Sequence, residues 1–289
     1  MTLPKVLLLY KKTSYDSYFL ADKQRSSALK KLLTPREFKR FLDTHQLHYA
    51  ALTKVQQVLR RRGIKFIRFC RGKAIDPTGF DLVITLGGDG TFMEASHGIK
   101  DQFILGVNSN PYWSVGRFCA GTVYNFADLL EGFIAKRARV LFFQRMQVAV
   151  SPLKKKFLAL NDVLVCHQNP GAMSRYSIDF RGYREQQRSS GVWISTAAGS
   201  SGAIASAGGR VLGPQSRNLQ YMPRELYHGC GTTYHLKGGL IPDGESIKAV
   251  SLMREGVVYV DGSHIYLPFV FGSILKVELS KHPLKAIWK

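Results

Sequence analysis

Long apolar runs are missing from this chain of 289 residues, and none approaches the roughly 20 residues that a membrane-spanning helix needs. The opening residues Met1–Lys5 lead straight into the short run Val6-Leu7-Leu8-Leu9-Tyr10, which is too brief for a secretory signal and is followed by no small-residue cleavage site. Closely spaced cysteines are missing too. Cys70, Cys119, Cys166 and Cys230 stand far apart with no C-x-x-C pair, which excludes a zinc ribbon or a disulfide framework and points to reduced thiols. Acidic residues are scarce, 20 against 41 lysines and arginines, so the formal net charge is +21. The chain has no Gly-Lys-Ser/Thr to complete a P-loop, no G-x-G-x-x-G dinucleotide fingerprint and no G-x-S-x-G nucleophile elbow. What is present is a 45% apolar content, which excludes wholesale disorder and supplies one large core or two ordinary ones.

The pattern changes midway. Val6–Tyr10 reads as a buried strand, and Thr34-Pro35-Arg36-Glu37 reads as a helix start with Thr34 as N-cap and Pro35 at the first helical position. Leu47, Ala51, Val55, Val58 and Leu59 continue it as an amphipathic helix that stops at Gly63. Strands follow at 64–69, 80–86 and 104–107. This alternation predicts a Rossmann-like, doubly wound parallel sheet in an α/β domain, residues 1–135. From about residue 140, short alternating runs at 146–150, 157–165, 175–180, 191–195, 247–252, 256–260 and 264–270 predict a mostly β domain, 136–289, whose final segment returns to the first. His45 and His48, one helical turn apart with no third ligand, read as a surface pair, and Trp193 and His264 as packing residues. The basic clusters Lys30-Lys31, Arg60-Arg61-Arg62 and Lys154-Lys155-Lys156 are short and sparsely mixed with aromatics, so they read as solvated faces, which weighs against nucleic acid as a partner.

Chemistry concentrates at Gly87-Gly88-Asp89-Gly90-Thr91, which ends an apolar strand and opens a helix. Gly87, Gly88 and Gly90 let the backbone approach a ligand closely, and their N–H groups with Thr91 and the helix N-terminus suit phosphate. Asp89 within that cradle would repel phosphate unless it accepts a proton or holds a cation, which is what a general base for phosphoryl transfer does. Asn161-Asp162 interrupts an apolar run and reads either as a turn or as a pair that hydrogen-bonds ribose hydroxyls. Residues 195–209, rich in Ser, Gly and Ala, allow close approach of a flat base or tight helix packing. Asp261-Gly262 reads as a hairpin turn.

Together these stretches resemble the NAD kinase family. Gly87–Thr91 is similar to its glycine-rich signature, Leu160-Asn161-Asp162-Val163 to its Asn-Glu motif, Ser195–Gly209 to its Thr-Pro-Thr-Gly-Ser-Thr-Ala-Tyr loop, and Val260-Asp261-Gly262 to its late Asp-Gly pair. Gly106–Pro111, Gln187–Gly191 and Leu42–His48 resemble the mitochondrial-type branch. The resemblance implies transfer of the γ-phosphoryl of ATP, with Mg²⁺, to the 2′-hydroxyl of the adenosine ribose of NAD. Asp89 is then the catalytic residue, and Gly87, Gly88, Gly90 and Thr91 meet phosphate. Asn161, Asp162, Arg188, Ser190, Ser201, Gly202, Ala203 and Ser206 line the NAD site, and no protein-held metal site is expected. The resemblance also implies a homodimer or larger assembly, with no membrane partner. The absence of an Arg- and Ser-rich presequence before the first strand suggests the cytoplasm. Inorganic polyphosphate, a polyanion suited to the basic charge, is a second candidate donor. Ala203 stands where the family carries Tyr or Trp, so a stacking platform worth about 1 kcal/mol is absent. Ser190, Ala197 and Ala198 also depart from the commoner pattern. A lipid or nucleoside kinase of the same superfamily, or a weakly catalytic nucleotide sensor, are the alternatives these departures leave open.

Overall fold

The computed structural model describes residues 3–72, 75–263 and 265–288. His264 therefore lies outside the described residues, as do the side chains of Lys23 and Cys230. The chain divides into two compact units, residues 1–141 with 284–289, and residues 142–283.

The first unit is built on a parallel sheet. Strands β1 (Val6–Tyr10), β2 (Phe66–Cys70), β3 (Leu82–Gly87), β4 (Phe103–Asn108), β5 (Gly121–Thr122) and β6 (Arg139–Phe143) are joined by a terminal strand, Leu284–Trp288. The order is β2-β1-β3-β4, then the terminal strand, then β6, with β5 beside β4. β1 pairs in parallel with β2 and β3, and β3 with β4, as the alternating strands and helices predicted. The sequence is apolar along β3 because every residue of it is buried, the expected state of a central parallel strand. After β1 comes a short π-helical turn, Asp16–Leu20, then helices α1 (Lys23–Leu32) and α2 (Pro35–Arg61). α2 starts where the sequence says it should. Thr34 accepts from the Glu37 N–H at 3.3 Å, while the Glu37 carboxylate accepts from the Thr34 N–H at 2.8 Å. Its stripe Ala51, Leu52, Val55 and Leu59 is buried in the same cluster as Val6, Leu8, Ile84 and Leu105 of the sheet. α3 (Asp89–Ser96) and α4 (Phe126–Ile134) complete the unit.

That stripe corrects the reading of His45 and His48 as a surface pair. His48 lies on the buried face of α2 and is 0% exposed, its Nδ1 2.9 Å from the Ser109 hydroxyl. His45 is half-buried and sits 2.9 Å from the Thr13 hydroxyl. Burial first, and then the charge of Lys11, push His48 down to about 4, so it is neutral at physiological pH.

The second unit is antiparallel. Its strands are β7 (Met146–Val150), β8 (Lys156–Ala159), β9 (Asp162–His167), β10 (Ser174–Phe180), β11 (Tyr183–Ser189) and β12 (Gly191–Ser195). After the single helical turn α5 (Ala203–Ser206) come β13 (Leu219–Arg224), β14 (Gly239–Ile241), β15 (Ser246–Ser251), β16 (Gly256–Val260), β17 (Ile265–Pro268) and β18 (Ile274–Leu279). One sheet runs β11-β10-β15-β18-β7-β8 and the other β14-β13-β12-β9-β16-β17. Val148, Tyr176, Ile178 and Val277 from the first sheet and Val163, Val165, Ile194 and Val258 from the second belong to one apolar cluster. Each side chain of that size contributes about 1.5–3 kcal/mol by leaving water. The predicted hairpin is present, with Val260 opposite Ile265.

Candidate active site

In the first unit, β3 delivers its last residue, Gly87, opposite Asn108 at the carboxyl edge of the sheet, where open α/β sheets bind ligands. Gly88 caps α3 in an extended conformation, and Asp89 opens the helix. Space requires glycine at 87, and at 88 a side chain would have to turn Ser114 aside. A Cβ on Gly87 would collide with the Thr91 side chain, and one on Gly88 would lie 2.6 Å from the Ser114 hydroxyl. The Thr91 side chain is buried at 1% exposure. Asp89 is half-buried, and its Oδ1 accepts from the Phe118 N–H at 2.8 Å. Among the described residues Oδ2 makes no hydrogen bond. The carboxylate is thus aimed by one bond and keeps one oxygen for another partner. Cys119 beside it is pushed up to about 12, chiefly by burial and then by the Asp89 charge, so it is a thiol rather than a nucleophile.

In the second unit, Asn161 and Asp162 sit at the turn from β8 into β9, and that turn is built on Asp261. The Asp261 carboxylate accepts from the backbone N–H groups of Leu160 at 2.7 Å, Asn161 at 2.7 Å and Asp162 at 3.1 Å. Its own N–H donates to the Asp162 carbonyl at 2.9 Å. Asp261 has a φ of +50°, within the left-handed region that Asp tolerates better than most residues. The hairpin turn expected from Asp261-Gly262 is real, but it also carries a buried anion that holds the opposite turn, and sequence reasoning missed this. A lone Asp at a left-handed turn, facing an Asn-Asp interruption across a sheet, was the available signal.

Asn161 donates from Nδ2 to Asp162 Oδ2 at 2.8 Å. Asp162 is 6% exposed, and burial followed by repulsion from Asp261 pushes it up to about 7. When it carries its proton, this carboxyl can donate as well as accept. The Asn161 carbonyl is locked from the β12 side by the Thr196 N–H at 3.1 Å and the Ser195 hydroxyl at 3.2 Å. A Cβ on Gly199 would strike that carbonyl, so only glycine fits there, and one on Gly202 would come within 4.0 Å of Asp162 Oδ2. Ser201, Gly202, Ala203 and Ser206 are exposed around α5, which is one turn rather than a longer helix. The structure therefore brings Asn161, Asp162 and the 195–202 loop together. Arg188 is elsewhere: it is exposed on β11, the edge strand of the other sheet, and Ser190 follows at the corner into β12. Cys70, Cys119 and Cys166 are free thiols. No group of three His, Cys, Asp or Glu side chains among the described residues could hold a metal ion, and no described helix is long and apolar enough to cross a membrane.

Comparison with known proteins gives one family. The profile of the ATP-NAD kinase N-terminal domain matches residues 28–137. A probable NADH kinase of Oryza sativa is 34% identical over 268 residues, covering 85% of this chain and 82% of the relative. An NADH kinase of Arabidopsis thaliana is 30% identical over 318 residues, covering 96% and 93%. An NAD kinase of Thermococcus sibiricus is 32% identical over 213 residues, 71% of each chain. The fold matches an NAD kinase from Archaeoglobus fulgidus solved with ATP, at a TM-score of 0.70 and 20% identity over 98% of this chain and 93% of that one. It also matches yeast NADH kinase solved with NADH, at a TM-score of 0.74 and 15% identity over 100% of this chain and 84% of the other. Identity sustained across more than four-fifths of both chains, as with the rice relative, establishes kinship, and the chain belongs to the NAD kinase family.

Proposed function

We propose that this protein transfers the γ-phosphoryl group of ATP to the 2′-hydroxyl of the adenosine ribose of NAD or NADH. The single observation that carries the mechanism is Asp89 at the mouth of the glycine turn, with Oδ1 engaged by a backbone N–H and Oδ2 uncommitted among the described residues. A ribose hydroxyl is a poor nucleophile at neutral pH. As its oxygen bonds to the γ-phosphorus and the bond to the β–γ bridging oxygen breaks, its proton passes to Asp89 Oδ2 and ADP leaves. The N–H groups of Gly88, Asp89 and Gly90 at the start of α3 stabilise the charge on the transferring oxygens, while the Thr91 N–H is taken by the Gly88 carbonyl at 3.0 Å.

Mg²⁺ would arrive held by the ATP phosphates and their waters, which leaves the one free Asp89 oxygen for the proton. Such an ion neutralises charge on the phosphoryl oxygens. Asn161 and the Asp162 carboxyl, which is proton-bearing below about pH 7, serve as partners for ribose hydroxyls. Ser201, Gly202, Ala203 and Ser206 form the close approach for a base, Ser190 belongs to the same NAD site, and Arg188, exposed on the edge strand of the other sheet, is given a phosphate contact by the family resemblance alone. Assembly as a homodimer or larger is part of the same reading.

Purified protein with ATP, Mg²⁺ and either NAD or NADH should form NADP(H), measured with a specific dehydrogenase. Asp89→Asn should lower kcat by about 10²–10⁴-fold while the thermal midpoint is kept. A normal rate in that variant overturns the base assignment, and absence of product in the wild type overturns the activity. The same assay, with polyphosphate in place of ATP, decides the donor.

A further inference from the structure

At the carboxyl edge of the parallel sheet, Tyr10 ends β1 in register with Cys70 on β2 and Leu86 on β3. Lys11 therefore leaves the sheet beside Gly87, and Arg71 leaves one strand further out, its N–H donating to the Tyr10 carbonyl at 2.8 Å. The Arg71 guanidinium turns back over the glycine turn. Its Nη1 lies 3.3 Å from where a Cβ on Gly90 would be, so Gly90 is small where a cation passes. Glu94 of α3 fixes that direction, accepting from Arg71 Nε at 2.8 Å and from the Gly72 N–H at 2.6 Å.

Lys11 differs. It is half-buried, and among the described residues its ammonium forms no ion pair. Burial, and then the neighbouring Arg71 charge, lower its pKa, and its own charge helps to keep His48 neutral. A desolvated cation crowded by a second cation is costly, and the cost is offset where an anion binds both. The position of that anion is set by the Gly90 approach, against the same turn that carries Asp89.

We infer that Lys11 and Arg71 bind the phosphoanhydride chain of a nucleotide lying against the Gly87–Gly90 turn, with Glu94 as the positioning residue for Arg71. The inference rests on the kinase reading only for which nucleotide is meant. A triphosphate donor and the pyrophosphate of a dinucleotide share this chemistry, and steady-state kinetics separate them.

Lys11→Met should raise one KM about tenfold or more, the loss expected for one charge-assisted hydrogen bond, and Lys11→Arg should restore most of it. A rise in the KM for ATP alone assigns the donor, and a rise in the KM for NAD or NADH alone assigns the acceptor. If neither KM moves, the inference fails while the kinase reading stands. Calorimetry with inorganic tripolyphosphate needs no turnover. The wild type should bind it and Lys11→Met should bind about tenfold more weakly, whereas equal binding, or none in the wild type, overturns the inference whether or not NADP forms. Glu94→Gln should raise the same KM as Lys11→Met with kcat kept. A lowered melting temperature with that KM unmoved assigns Glu94 a structural role instead.

Discussion

Loss of the Asp261 carboxylate should cost the second unit a great deal for few atoms removed. Alanine there deletes the acceptor for three backbone N–H groups at 2.7, 2.7 and 3.1 Å, in a site where the side chain is only 5% exposed. Leu160 and Asp162 are buried, so their N–H groups find no water, while half-buried Asn161 recovers a solvent partner. A buried donor left unpaired costs about 1–3 kcal/mol. Against this, removing the charge relieves the repulsion that Asp162 feels. The net expectation is a loss of about 3 kcal/mol, a large share of the roughly 5–15 kcal/mol of a typical domain. Urea unfolding followed by tryptophan fluorescence should show the midpoint falling by about 1–3 M, given slopes of roughly 1–3 kcal/mol/M. Carboxyl NMR should show the Asp162 pKa moving down from about 7, because its nearest anion has gone. An unchanged midpoint together with an unchanged Asp162 titration would refute the assignment of Asp261 as the organiser of that turn.

Further outcomes follow from individual groups. Asp162 carries a pKa raised above its unfolded value of 3.8, so the native state holds the extra proton and stability falls as pH rises from about 4 to about 7. Asp162→Asn should therefore gain on the wild type by about 2 kcal/mol between pH 5 and pH 8, read from paired urea midpoints, and a constant difference would contradict the buried-acid account. His48 shifts the other way. Its folded pKa of about 4 lies below the unfolded 6.5, so its contribution is present above pH 6.5 and is lost as pH falls toward 4. Melting curves at pH 7.5 and 5 should show His48→Gln losing less than the wild type on acidification, and equal losses would place the acid sensitivity elsewhere. Ala203 is exposed at the start of α5. Ala203→Tyr should lower the KM for the dinucleotide about fivefold if a base stacks there, and an unchanged KM would show that no base does.

The parts of the molecule that could be read from the sequence are those whose signals are local. The Thr34–Glu37 capping box, the apolar run of β3, the glycine turn after it and the Val257–Tyr266 hairpin each declare themselves within a dozen residues, and the α/β-then-β fold class followed from them. Elements set by tertiary pairing did not. β11 reads Tyr-Arg-Glu-Gln-Gln-Arg-Ser, polar because it is an edge strand, with β10 as its strand partner among the described residues. β13 contains Pro223, which usually argues against an inner strand, yet it pairs with Val192 of β12. At the site, Asp89 and Asn161-Asp162 stood out because polar residues interrupt apolar strands. The Asp261 clasp, about 100 residues away from the turn it holds, and the burial of His48 depend on contacts that no single window contains.

The strand Leu284–Trp288 lies between β4 and β6, with Leu284, Ala286 and Ile287 at most 1% exposed. Its register with Phe103 and Ile104 spans about 180 residues of intervening chain. During synthesis, the sheet bearing the glycine turn must wait, one interior position vacant, until the entire β-rich unit has been translated. A chain ending at residue 283 and released from the ribosome should then show the β-rich unit protease-resistant while β4 and β6 are still cut. The half of the protein made first would be the half finished last.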